Sequence, residues 1–141
     1  MKTKFNLLWG AAALMMAAIT GLHVVAGGQD YVPPLLTQKA LNANETGIYY
    51  YVWHMATLTM GTIALVFFGA AVRANWRGPA FLVNGLVLAF AGLSVAVGIG
   101  FSQFPWALPQ WTLFLAVGLT GMAASILPGT SRQARLDRHG G

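Results

Sequence analysis

The sequence predicts an all-α fold, an integral-membrane up-down four-helix bundle. Three observations predict it. Four apolar stretches, at about 5–26, 48–72, 80–101 and 110–127, approach or exceed membrane-spanning length, since ~20 apolar residues cross a hydrocarbon core of ~30 Å. The connections are short, which makes successive helices antiparallel neighbours. Seven of the eight Lys and Arg residues fall on one side of this pattern, and that asymmetry sets orientation. A chain that is 57% hydrophobic and 8% charged is too apolar for an ordinary soluble surface. Residues 1–141 read as a single transmembrane domain.

The first span, Phe5 to Ala26, follows a short basic start with Lys2 and Lys4. Its polar side chains are Asn6, Thr20 and His23. A secretory signal peptide cleaved after Ala26 is the rival reading, with Val24 and Ala26 suiting the small-residue rule. The apolar stretch exceeds the usual signal core of ~7–15 residues, so the segment is expected to be retained. Residues Gly27 to Gly47 form a polar connection. Pro33-Pro34 is expected to stop the first helix. Leu35 to Leu41 is expected to lie on the interface as a short helix with Pro34 at its first position. Asn42 and Glu45 have capping-box spacing, which starts the next helix near Ala43, in water.

The second span, Ile48 to Val72, carries no acidic or basic side chain except His54. Tyr49, Tyr50, Tyr51 and Trp53 read as an interface belt. Arg73 to Pro79 is a tight basic connection. The third span contains Asn84 and Ser94, and Asn84 is expected to bond across to Asn6. Ser102 to Pro109 is an uncharged turn before the fourth span. Pro128-Gly129 ends that span. Residues 129–141, with Arg132, Arg135 and Arg138, form a basic tail. Small residues four apart nominate helix contacts: Ala13, Ala17 and Gly21; Gly92, Ala96 and Gly100, or Ser94 and Gly98; Ala116, Thr120 and Ala124. The Lys/Arg count places both termini in the cytoplasm and Asp30, Lys39 and Glu45 outside.

Several functions are excluded. No Cys is present, so disulfides, thiolate metal sites and thiol catalysis are impossible. No nucleophile elbow, phosphate loop or metalloprotease helix occurs. The net charge of +5 lies beside apolar spans rather than in a patch with stacking aromatics, so it points to lipid surface and not to nucleic acid.

The residues open to chemistry gather near the outer face. His23 comes late in an outward helix and His54 early in an inward one, about 5 Å and 9 Å below the span ends. Ionisable groups inside a membrane are candidates for function. The candidate ligand or metal set is His23, His54, Asp30, Glu45, Tyr50 and Thr57. Two facing imidazoles suit haem iron or a transition metal, or a quinone or proton-handling role. Against these stands local satisfaction of each imidazole by one hydroxyl and one carbonyl, which needs no cofactor. The order of His23 before Gly27-Gly28, Pro33-Pro34, then Trp53-His54 resembles small four-span bacterial membrane proteins of uncharacterised function. That resemblance covers the first half of the chain. It implies the fold and a bacterial inner-membrane location, and brings no activity. The expectation is an accessory, scaffold or small-ligand-binding subunit without catalytic machinery. Its partners would be the bilayer, other membrane subunits or a second copy. The alternative is a redox, metal- or haem-binding, or quinone- or proton-handling subunit using His23 and His54.

Overall fold

Helix α1 (Leu7–Leu22) begins at a side-chain cap. The Asn6 side chain accepts the Trp9 N–H, which satisfies one of the first-turn donors. The Asn6 N–H donates to the Ala71 carbonyl at 2.9 Å, tying the start of α1 to the far end of α3. The structure is a computed structural model and describes residues 5–106 and 109–127. Lys2, Lys4 and the basic tail 129–141 lie outside the described residues.

The first helix does not end at Ala26. A π-helix, His23–Gly27, leads straight into α2 (Gly28–Thr37), so Leu7–Thr37 is one rod of 31 residues. Pro33 and Pro34 lie inside this helix and do not stop it. The expected interface helix at Leu35–Leu41 is absent, because residues 35–37 finish α2. Proline removes the hydrogen bonds to the carbonyls of Gln29 and Asp30. Both of those residues are exposed, beyond the apolar part of the rod, where water can take the place of the missing donors. The Thr37 hydroxyl donates to the Pro33 carbonyl at 2.8 Å, stitching the last turn.

Helix α3 (Ala43–Val72) starts with a complete capping box between Asn42 and Glu45. A short 3-10 turn, Ala74–Trp76, leads to α4 (Arg77–Gly100). Pro79 falls in the first turn of α4, where a missing N–H leaves no helical bond unmade. Beyond α4, Ser102 takes a left-handed φ of 56°. The N–H groups of Gln103 and Phe104 both donate to the Gly98 carbonyl. Helix α5 (Gln110–Ile126) is the last described helix.

The described residues make an all-helical bundle. Helix α1 packs along α3 and α4 along α5, and the pairs α1/α5 and α3/α4 close the ring. The Asn6–Ala71 bond and the His23–Trp53 contact, at opposite ends, show that α1 and α3 are antiparallel. The core fills the half of the bundle nearer Asn6 and Val72. Trp9, Met16, Ile63, Phe67, Val87 and Val117 are fully buried there. The Trp9 and Phe67 rings tilt together at 5.2 Å. In α3 the first buried residue is Met60, so the other half is loosely packed. Leu7, Leu14, Leu65, Phe68, Leu82 and Ile99 face outward. Helices apolar on every side belong in an apolar solvent. Among the described residues three helical segments are long and apolar enough to cross a membrane: Leu7–Thr37, Ala43–Val72 and Ala74–Gly100. The fourth, α5, has 17 residues.

The small-residue stripes mostly fail to mark contacts. Ala17, Gly21, Gly92, Ala96, Gly100 and Ala116 are exposed. The α5 contact face is Val117, Gly118, Gly121 and Ala124. Asn84, 2% exposed, reaches this face and not Asn6. Its Nδ2 donates to the Gly118 carbonyl at 3.0 Å, and a Cβ on Gly121 would collide with its amide.

Candidate functional site

Trp53 organises the loosely packed half. Its indole stacks on the His23 imidazole, centroids 3.9 Å apart and planes 19° from parallel. Tyr31 leans on the other part of the cluster, 6.2 Å from Trp53. The Trp53 carbonyl lies 3.4 Å from His23 Nε2. In the Nε2–H tautomer His23 donates to it. The same carbonyl accepts the Thr57 hydroxyl at 3.2 Å. Gly27 permits the arrangement, since a Cβ there would lie 2.7 Å from the indole ring.

A cavity of about 270 Å³ opens between α1–α2, α3 and α5. The rod contributes the stripe Ile19, Leu22, His23, Ala26, Gly27, Asp30 and Tyr31, a helical repeat of three and four residues. Trp53 and Met60 form the α3 wall, and Gln110, Leu113 and Phe114 the α5 wall. The lining is apolar with four polar groups: His23, Asp30, Tyr31 and Gln110. The Gln110 Oε1 is buried without a hydrogen-bond partner. A buried acceptor left unpaired is costly. A concave, mainly apolar space with a few convergent polar groups is what small-ligand sites look like.

His54 does not face this cavity. It is exposed, with Tyr50 against it edge-on at 4.5 Å. It lines a second, more open concavity with Val24, Val25, Gln29, Val32, Tyr50 and Thr57. Among the described residues Trp53 alone lines both concavities. His23 and His54 therefore line different concavities that share Trp53 as a wall. Thr57 bonds its own helix, and Gly61 has open space at its Cβ position. Of the other candidates, Asp30 lines the His23 cavity, while Glu45 is engaged in the α3 capping box. Among the described residues no group of three or more His, Asp or Glu side chains is placed to hold a metal ion.

Sequence reasoning missed Tyr31, Gln110 and the ring-stacking role of Trp53. Asp30 and Tyr31 sit seven and eight residues after His23, a helical spacing. The expected break at Ala26 hid that relation. Nothing local in the sequence marks Gln110, which enters the cavity only through the α1/α5 packing. No family model, curated protein or solved structure matches the chain.

Proposed function

We propose that the chain is a four-span protein of a bacterial inner membrane that holds a small amphipathic ligand in the cavity between α1–α2, α3 and α5. Both termini lie in the cytoplasm, as the Lys/Arg asymmetry requires. The cavity is then on the outer side of the bilayer. The observation that carries this reading is the buried, unpartnered Gln110 Oε1 of a residue that lines the cavity together with Trp53 and Phe114. It calls for a ligand with a hydrogen-bond donor on a flat ring. Trp53 and Phe114 supply ring faces, and His23, Asp30 and Tyr31 supply polar groups on the rod side. A hydroxylated ring with an apolar tail, the chemistry of a quinol, matches these demands. The chain would serve as a ligand-binding subunit, and no catalytic step is assigned to it.

Titration of the detergent-purified protein with decylubiquinol, followed by tryptophan emission, tests this reading. Saturable binding that weakens about tenfold or more in Gln110→Leu or His23→Ala, and is unchanged in His54→Ala, is expected; tenfold corresponds to ~1.4 kcal/mol. Loss in His54→Ala with none in His23→Ala would move the site to the other concavity. Absence of saturation would remove quinols as the ligand class.

A further inference from the structure

We propose a second site at the opposite end of the bundle, which takes the phosphate of an anionic phospholipid from the cytoplasmic leaflet. A cleft of about 530 Å³ lies where the start of α1, the start of α4 and the end of α5 meet. Asn6, Trp9, Arg77, Gly78 and Ser125 give it polar groups, and Phe81, Ile126 and Leu127 give it apolar walls.

Three observations point to an anion. First, Trp9 is fully buried and lines the cleft, yet its indole Nε1–H has no hydrogen-bond partner. Second, the Arg77 Nε is likewise buried without a partner. A buried donor that bonds nothing is costly, and more so when it is charged. Third, Arg77 is the first residue of α4, which has no side-chain cap and no acidic residue in its first turn. A cation at a helix N-terminus adds to the positive end of the helix dipole. The described acidic residues, Asp30 and Glu45, belong to the far end of the molecule. Positive potential therefore accumulates in the cleft, and no carboxylate among the described residues is there to balance it.

A lipid phosphate resolves all three features together. Trp9 Nε1 and Arg77 Nε are both sealed from solvent, so with a small outward shift of the cleft wall the phosphate oxygens accept from the guanidinium and the indole N–H, and the phosphate charge offsets that of Arg77 and the helix end. Basic pockets between helices at the cytoplasmic side are the usual setting for anionic headgroups. The walls Phe81, Ile126 and Leu127 suit the glycerol and first acyl carbons, which a free phosphate ion lacks. This site is independent of the outer cavity and of its ligand.

The test is native mass spectrometry of the full chain with mixed phosphatidylglycerol and phosphatidylcholine. The protein should retain one phosphatidylglycerol in clear preference to phosphatidylcholine. Arg77→Gln should lose that preference about tenfold. Trp9→Phe, which keeps the ring and removes the N–H, should weaken it severalfold with helicity unchanged by circular dichroism. Arg73→Gln, which removes an equal charge from a residue outside the cleft, should change it less than twofold. Equal losses in Arg73→Gln and Arg77→Gln would show diffuse surface attraction and overturn the proposal, as would no headgroup preference. Displacement of the lipid by an equal concentration of inorganic phosphate would assign the cleft to a soluble anion and overturn the lipid reading. If Arg77→Gln fails to fold, an unchanged preference in Trp9→Phe overturns the proposal by itself.

Discussion

Trp53 shows how one side chain divides a surface into two. Its indole is a wall of both concavities, so each histidine lines its own. Gly27 is the residue that lets the ring lie there. Gly27→Val should push the indole away from His23 and disrupt a stack of the kind worth about 0.5–1.5 kcal/mol. Ligand affinity in the outer cavity should fall about two- to tenfold, read by the same emission titration, while the far half of the bundle stays intact. At the other end, Asn84→Ala removes the bond to the Gly118 carbonyl. In a bilayer such bonds average about 0.6 kcal/mol, so unfolding by a denaturing detergent should shift only slightly. Phe67→Ala, which empties space beside Trp9, should cost about 3–5 kcal/mol. A larger loss from Asn84→Ala than from Phe67→Ala would mean that hydrogen bonding outweighs packing in this half of the bundle.

The helices differ in how far their boundaries could be read. The capping box at Asn42 and Glu45 gave the start of α3 because its signal is local and complete. The ends at Val72 and Ile126 were legible from the close of each apolar run. The end of α1 was not. Proline is a sound helix breaker where carbonyls have no other partner, but Gln29 and Asp30 are exposed and lose less. The π-helix at His23–Gly27 has no local sequence signature, and it carries the rod past two glycines. The rotation of His54 was equally hidden, because it depends on how α3 packs and not on its own neighbours. A continuous rod has a direct consequence. The chain lacks Cys, so spin labels can be placed on Ala26→Cys and Leu36→Cys alone. At ~1.5 Å per residue their backbones should be ~15 Å apart with a narrow distribution. A broad distribution would mean that the helix breaks at Pro33-Pro34.

At the level of the whole molecule, the two ends have different characters. The Asn6–Arg77 end is densely packed and positively charged. The Tyr31–Trp53 end is open, aromatic and carries the acidic residues Asp30 and Glu45. Apolar side chains cover the outside between them. Composition and charge asymmetry made this layout legible, whereas the cavity required the packing of three helices. The orientation has its own check. A reporter active only in the cytoplasm should work when fused after Gly141, and one active only outside should work when inserted near Gln38. Activity of the outside reporter at Gly141 would invert the molecule. The central claim is that the cavity beside His23, Trp53 and Gln110 holds a ligand. Organic extraction of the protein purified from its native membrane, followed by mass spectrometry, tests it most directly. One ring-bearing amphipathic molecule should be recovered at near one per chain, retained in His54→Ala and lost in Gln110→Leu. Recovery of nothing but bulk lipid, in equal amounts from all three proteins, would contradict the account.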